Sequence, residues 1–359
     1  MKIVTVIGAR PQFVKAAAVS RVLRAKAGVE EKIIHTGQHF DANMSDVFFE
    51  EMEIPLPDYH LEINSLSHGA MTGRMLEQIE SVLKSENPDA LMVYGDTNST
   101  LAGALAAKKR GIKVVHVEAG LRSFNMAMPE EVNRILTDRI SDVLFCPTDT
   151  AIQNLEREGF RHFDCDIVLS GDVMQDAALF YAQKAAQKSR ILEETNLMSQ
   201  DFLLCTFHRQ ENTDNLLNLK GIVEALNALH QQIPVVVPLH PRTRKIIEQH
   251  GLKLDAIVLP PVGYFDMIQL LQSARLVLTD SGGLQKEAYF FDKYCVTLRD
   301  QTEWSELVEH GYNQLTGADT QVILDAVAAL LKRNFAKEND FYGGGRAAEN
   351  IASYLSALS

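Results

Sequence analysis

The sequence predicts an α/β protein built from two doubly wound parallel-sheet domains, and three observations carry that reading. Strand-like runs alternate with helical patterns almost from end to end, the order that lays helices on both faces of a parallel sheet. The strand runs are short and continuously apolar, as in Ala90–Tyr94, which is what burial on both faces requires. The alternation also stops and restarts across Gln187–Gln200, a polar stretch with Lys188, Glu193, Glu194 and Asn196. Domains are therefore expected near 1–175 and 185–340, with 341–359 supplying a final helix that packs back.

The elements follow in order. In the first half, strands are expected at Lys2–Ile7, Lys32–His35, Ala90–Tyr94, Lys113–Val117 and Val143–Cys146. Apolar residues at helical spacing mark Val14–Ala25, Met71–Lys84, Asn98–Lys109 and Val132–Ser141 between them. The second half gives strands at Phe202–Thr206, Val235–Pro238, Ile257–Leu259, Leu276–Thr279 and Tyr294–Thr297, with a helix over Leu216–Gln231. The closing helix, about Arg346–Ala357, carries Ile351, Tyr354 and Leu355 at helical spacing. No short-period repeat or low-complexity tract is evident.

Composition narrows the function classes. The chain has 359 residues, 46% hydrophobic and 23% charged, which suits a globular protein with two cores. Its 35 Lys+Arg against 47 Asp+Glu give a formal charge of −12, which weighs against a nucleic-acid or anionic-membrane surface as partner. Cys146, Cys165, Cys205 and Cys295 show no C-x-x-C spacing and read as thiols in a reducing compartment. The opening MKIVTVIG reads as a strand with no signal segment, and no apolar run approaches a membrane span, so a cytoplasmic location is expected.

The site is organised around Val277–Glu287, VLTDSGGLQKE, a buried strand that runs into a glycine turn and then a helix. Ser281, Gly282 and Gly283 free backbone N–H groups at a helix N-terminus, where the helix dipole favours an anion such as a diphosphate. Glu287 falls one turn inside that helix, where its carboxylate can accept hydrogen bonds from ribose hydroxyls. A nucleotide is the natural occupant. The alternative is a tight strand-to-helix connection with a serine cap.

Other chemistry-bearing residues collect just past strand ends, where ligands sit in such folds. The first strand ends at Gly8-Ala9-Arg10-Pro11 with Lys15 one turn later; this is no G-x-G-x-x-G pattern, which disfavours nicotinamide and flavin dinucleotides. Arg10 and Lys15 at a helix start oppose the dipole, which points them at an anion. Asp96, Glu118 and Glu130 lie at strand ends or a helix start, with Arg134 one turn past Glu130. They supply candidates for proton donor and acceptor, and Arg134 can hold one of them ionised. His208 ends the first strand of the second half and can stabilise or protonate a departing phosphate oxygen. His240 reads as architectural. Metal-ligand spacing is lacking: Asp164-Cys165-Asp166 lies in a hydrophilic connection and reads as surface charge, so neither a metal nor another cofactor is expected. These residues suit a nucleotide-sugar enzyme, either a transferase or one that works on the sugar itself, and several carboxylates favour proton chemistry on carbon.

The ordered motifs IGARPQFVK, TGQHF, YGDTNST, HVEAGLR, MPEEVNRILTD, FHRQENTDN, LTDSGGLQKEA and TLRDQTEW span nearly the whole chain. In them the sequence resembles the non-hydrolysing UDP-N-acetylglucosamine 2-epimerase family. The resemblance implies two Rossmann-like domains in a glycosyltransferase-B arrangement, a homodimer, and interconversion of UDP-GlcNAc and UDP-ManNAc without a redox cofactor. It further implies anti elimination of UDP to a 2-acetamidoglucal and syn re-addition. Carried over by motif, Asp96, Glu118 and Glu130 become the acid/base residues and His208 assists at the UDP oxygen. Arg10, Ser281, Gly282, Gly283 and Glu287 hold the nucleotide, with Lys15 and Arg134 in support.

The pattern departs from the family in one stretch. Many bacterial members follow their Gln-His with an Arg and further glutamines that form a second, activating UDP-GlcNAc site. This chain has Gln38-His39-Phe40-Asp41-Ala42-Asn43-Met44 instead. That stretch and Phe341-Tyr342-Gly343-Gly344-Gly345 are similar to a sister group that epimerises UDP-2,3-diacetamido-2,3-dideoxyglucuronate for O-antigen synthesis. A glycosyltransferase sharing the fold and an idle nucleotide-sugar sensor are the remaining alternatives.

Overall fold

The computed structural model describes residues 1–26, 28–38 and 56–358. The chain divides into two compact units, one formed by residues 1–177 and 340–359 and the other by 178–339.

The first unit contains β1 (Lys2–Ile7), α1 (Arg10–Ala25), β2 (Glu30–His35), β3 (Tyr59–His60), α2 (His68–Glu86), β4 (Ala90–Tyr94), α3 (Asn98–Lys109), β5 (Lys113–Val117), α4 (Pro129–Ile140), β6 (Val143–Cys146), α5 (Asp149–Arg157) and β7 (Asp166–Leu169). Helix α6 (Val173–Lys188) follows and carries the chain into the second unit. Among the described residues the first unit's seven strands are all parallel, in the order β3-β2-β1-β4-β5-β6-β7. The order reverses direction between β1 and β4, the place where a doubly wound sheet opens a crevice at its carboxyl edge. One face is sealed by Val4, Val6, Leu91 and Val93 against Met75, Ile79 and Leu83 of α2 and the alanines of α3. Those small residues let α3 lie directly on the strands.

The second unit contains α7 (Ile191–Glu194), β8 (Leu203–Thr206), α8 (Gln210–Thr213), α9 (Leu216–His230), β9 (Val235–Pro238), α10 (Pro241–Gln249), β10 (Ile257–Leu259), α11 (Tyr264–Ser273), β11 (Leu276–Thr279), α12 (Gly282–Phe290), β12 (Cys295–Thr297), α13 (Ser305–Glu309), β13 (Asn313–Leu315) and α14 (Thr320–Leu330). Its six parallel strands run β10-β9-β8-β11-β12-β13, with the reversal between β8 and β11. Phe202, Leu204, Val236 and Val277 pack here against Leu270, Leu271, Leu284 and Ala288.

Three strands escaped the sequence reading, and all lie at or next to sheet edges. β3 is two residues long and β13 reads Asn-Gln-Leu, so neither shows the apolar run that marks a central strand. β7 opens on Asp166, within the stretch read as a hydrophilic connection; Asp164 and Asp166 are exposed, as surface charge should be, but Asp166 also begins an edge strand.

The final helix, α15 (Ala347–Ala357), packs against α1 in the first unit. Its entry segment is the Phe341–Gly345 motif: the Tyr342 ring is buried, its carbonyl accepts from Asp172 N–H at 2.8 Å, and Gly345 N–H donates to Gln175 at 3.1 Å. In this structure the motif anchors the returning chain. Asp176 completes the anchor by accepting from the Ala347 and Ala348 N–H groups at 3.1 and 2.6 Å. Burial pushes the Asp176 carboxyl up to about 6, although those two donors pull the other way. The native state therefore binds the proton more tightly than the unfolded chain, so this residue's contribution to stability falls as pH rises from about 4 to about 6, by about 3 kcal/mol in all. Unfolding free energies of wild type and Asp176→Asn measured across that window should diverge accordingly, the variant gaining relative stability at the higher pH. Parallel curves would refute it.

Cys146, Cys205 and Cys295 are buried and Cys165 is partly exposed. Burial pushes all four thiols up, Cys295 to about 12. No helix among the described residues is long and apolar enough to cross a membrane, and none of their His, Cys, Asp and Glu side chains gather in threes that could hold a metal.

Candidate active site

In the first unit the site is built at the carboxyl ends of β1, β4 and β5. Arg10 opens α1 with Pro11 in its first turn, where a missing N–H costs nothing; the Arg10 side chain lies outside the described residues. The buried amide of Gln12 stitches β1 to β4. Its oxygen accepts from the N–H groups of Gly8 and Ala9 at 2.8 and 3.0 Å, and its nitrogen donates to the Tyr94 carbonyl at 2.7 Å and to the Thr97 and Thr100 hydroxyls.

The three carboxylates named from sequence have different surroundings. Asp96 follows the left-handed Gly95, φ 62°, and is ion-paired with Arg134, while its carbonyl accepts from Asn133 at 3.0 Å. Glu118 holds φ at 72°, an uncommon conformation for a residue with a side chain. It is ion-paired with Lys15. The sequence pointed Lys15 at an anion, and in this structure that anion is the Glu118 carboxylate. Glu130 is exposed in the first turn of α4.

Sequence reasoning missed the role of Glu131. This residue is buried, and its carboxylate accepts from the Ser123 N–H and hydroxyl at 3.0 Å each and from the Phe124 N–H at 2.9 Å. Arg134 bridges Glu131, at 2.8 Å, to Asp96. Burial works against charge on both partners, yet the two backbone donors and Arg134 hold the Glu131 carboxyl below its ordinary value. Asp96 and then Glu131 outweigh burial at Arg134 and push its guanidinium up. Glu131, Arg134 and Asp138 are spaced i, i+3 and i+7 on α4, so polar groups occupy a face that an amphipathic helix ordinarily gives to the core. That pattern was the available signal. Glu131→Ala should cost about 1–3 kcal/mol in denaturant unfolding, by orphaning two backbone donors and one arm of Arg134. Stability equal to wild type would show that the 123–128 loop holds itself.

Beneath this layer is a second buried group. His116 Nδ1 lies 2.7 Å from Asp138 Oδ1 and its Nε2 2.7 Å from the Gly95 carbonyl oxygen. Asp138 Oδ2 accepts from Arg122 at 2.7 Å and from the Gly120 N–H at 3.1 Å, and Arg122 goes on to a two-pronged pair with Glu158 at 2.7 and 2.8 Å.

The second unit supplies the candidate phosphate loop. Ser281 precedes α12, whose first residues are Gly282 and Gly283, and no side chain caps that helix. Ser281 thus leaves the leading N–H groups without a side-chain cap, and a helix end of that kind is where anions can bind. Asp280, fully buried, organises the loop by accepting from the His208 and Arg209 N–H groups at 3.0 and 2.9 Å and from Asn212 at 3.1 Å. The His208 ring is more than half exposed with Nδ1 3.6 Å from Asp280. Arg299 donates to Glu303 at 3.0 Å, and a methyl group added to Gly282 would fall 2.3 Å from Glu303 Oε1. Burial would raise the Glu303 carboxyl, but Arg299 and Arg209 hold it below its ordinary range. Glu287 is half-buried beside the Tyr264 phenol, which burial and then that carboxylate push well up. His240 caps α10 by accepting from the Arg242 N–H at 3.2 Å, the architectural role read from sequence.

The family model described as UDP-N-acetylglucosamine 2-epimerase matches residues 21–356. The chain belongs to the UDP-N-acetylglucosamine 2-epimerase family. Among its relatives, the UDP-2,3-diacetamido-2,3-dideoxy-D-glucuronate 2-epimerase of Pseudomonas aeruginosa is 57% identical over 100% of both chains. The UDP-N-acetylglucosamine 2-epimerase of Methanocaldococcus jannaschii is 42% identical, with 99% of each chain covered. A crystal structure of the M. jannaschii enzyme in complex with UDP-GlcNAc and UDP superposes with a TM-score of 0.88 at 40% identity, covering 99% of this chain and 100% of that one. The Neisseria meningitidis enzyme bound to UDP-GlcNAc gives the same TM-score at 31% identity and the same coverage. Members of this epimerase family are isomerases, and the two parallel-sheet units here are the family's architecture. The part of the departing stretch from His39 to Met44 lies outside the described residues; Gln38, just before it, accepts from the Ser99 N–H and hydroxyl at 3.0 and 2.7 Å.

Proposed function

We propose that this chain epimerises C2 of a UDP-linked 2-acetamido sugar without a redox cofactor, and that its preferred substrate is UDP-2,3-diacetamido-2,3-dideoxyglucuronate. One observation carries the substrate choice: 57% identity over the full length of an enzyme named for that sugar, against 42% for an enzyme named for UDP-GlcNAc. This moves the second of the two sugars named from sequence ahead of the first.

The chemistry explains the residues. Hydrogen on C2 of a pyranose has no neighbouring carbonyl to acidify it, so a side-chain base needs the leaving group at C1 to depart. A carboxylate takes the C2 proton while the C1–O electron pair leaves with UDP, giving a 2-acetamidoglycal. UDP then adds back at C1 as a proton reaches C2 from the other face. Asp96, Glu118 and Glu130 are the acid/base groups in this reading. His208 serves the UDP oxygen; Arg10, Ser281, Gly282, Gly283 and Glu287 hold the nucleotide, with Lys15 and Arg134 in support. The active species is a homodimer in the cytoplasm, which sedimentation and fractionation would check. UDP-GlcNAc remains the second reading, because solved relatives at 31–40% identity hold it.

The test is incubation of the protein with each UDP sugar in D2O, following C2 by NMR. The diacetamidoglucuronate should exchange and epimerise with kcat/KM higher by about 10²-fold or more, because a pocket built for its carboxylate leaves a cation unpaired with the neutral sugar. The reverse ranking would restore UDP-GlcNAc. Acceptor-dependent transfer with no exchange at C2 would move the protein to the glycosyltransferases.

A further inference from the structure

We propose that His116 is a doubly protonated positioning residue, whose imidazolium ties the Gly95 carbonyl to Asp138 and thereby fixes the two turns that present Asp96 and Glu118. The inference rests on the reading of those carboxylates as the proton-transfer groups.

The ring is fully buried, and its nitrogens face two oxygens, Asp138 Oδ1 and the Gly95 carbonyl, at 2.7 Å each. A carbonyl oxygen has no hydrogen to give, and Asp138 already accepts from the Arg122 guanidinium and the Gly120 N–H on its other oxygen, the surroundings of an ionised carboxylate. A neutral imidazole carries one N–H. It would set a nitrogen lone pair against an oxygen at hydrogen-bond distance, in a place water does not reach. Two acceptors call for two hydrogens. The groups around the ring make the cation affordable: Asp138 on α4 faces it, Arg122 and Glu158 lie beyond Asp138, and the Cys146 thiol of β6 near Asp138 is neutral, its ionisation pushed up by burial.

The connections show what the cation holds. Gly95 N–H donates to the Val117 carbonyl at 3.0 Å while its own carbonyl accepts from His116, so the left-handed turn before Asp96 is fastened to β5 from both sides. Asp138 takes His116 on one oxygen and the Gly120 N–H on the other, which fastens the turn after Glu118. One buried pair therefore sets the spacing of two carboxylates that sit on different strand ends. Displacements of about 1 Å at such groups cost about 10²-fold in rate.

Two substitutions separate the bonds. Asparagine places an amide near the reach of Nδ1 and keeps a donor for Asp138; glutamine reaches as far as Nε2 and keeps a donor for Gly95. Each substitution keeps one bond and loses the other, so His116→Asn and His116→Gln should each lose kcat for C2 exchange by about 10–100-fold with KM within about threefold. A residue that only packs would shift melting temperature and leave kcat near wild type, so wild-type kcat in either variant overturns the proposal. In the wild-type protein at neutral pH, 15N NMR should show one-bond N–H couplings on both ring nitrogens of His116. A single protonated nitrogen overturns the proposal even if neither variant folds. A wild type inert toward every UDP sugar would instead defeat the reading of Asp96 and Glu118, with the NMR result standing apart.

Discussion

Asp96→Asn is expected to lower C2 exchange and epimer formation by about 10²–10⁴-fold while UDP-sugar binding stays within about threefold. The surroundings of Asp96 make the substitution clean. Its backbone is held by Asn133 at 3.0 Å and by the Gly95 turn, neither of which depends on the side chain. The amide oxygen can still accept from Arg134, which is anchored independently by Glu131 at 2.8 Å. What disappears is the ability to take and return a proton. Deuterium incorporation in single turnover gives the rate, and calorimetry with the unreacted nucleotide sugar gives the affinity. Turnover near wild type would remove Asp96 from proton transfer and leave Glu118 and Glu130 to divide the work. Glu118→Gln is a less clean companion, because it also breaks the ion pair with Lys15.

Much of this was legible in the sequence, for reasons that differ by residue. The central strands could be read because burial on both faces leaves them continuously apolar, and the switch-point positions followed from strand ends alone. Asp96, Glu118, His208 and the Ser281-Gly282-Gly283 turn all lie just past such ends. Edge strands such as β13, Asn-Gln-Leu, pack on fewer neighbours and carry no comparable pattern. The pairings that position the carboxylates were also illegible, because they join residues distant in the chain. Lys15 meets Glu118 across 103 positions and Gln12 reaches Tyr94 across 82. Glu130 and Glu131 show the same limit at close range. Both open α4, but the helical turn points one to solvent and buries the other beneath the 123–128 loop, and only the fold separates a free carboxylate from one already bound to protein.

Asp138→Ala should be the most destabilising single change at the site, by about 3–5 kcal/mol, because it leaves the buried His116 ring and the Gly120 N–H without their acceptor and takes from the buried Arg122 one of its two carboxylates. Asp138 has no exposed surface and accepts from His116, Arg122 and Gly120 N–H at once. Glu158 offers the internal comparison: it pairs with the same Arg122, but its side chain is one-third exposed. Glu158→Ala leaves Arg122 bonded to Asp138 and to the Leu121 carbonyl at 2.7 Å, so its cost should be about 1–3 kcal/mol. Acid should act in the same direction as the larger substitution. Because the Asp138 carboxyl is held below its ordinary value, its contribution is complete above about pH 4 and is lost as pH falls through the folded-state value. Urea unfolding of both variants at neutral pH measures the gap. Equal costs would mean that the buried pair adds no more than the exposed one, and the turns carrying Asp96 and Glu118 would then owe their geometry to the strands alone.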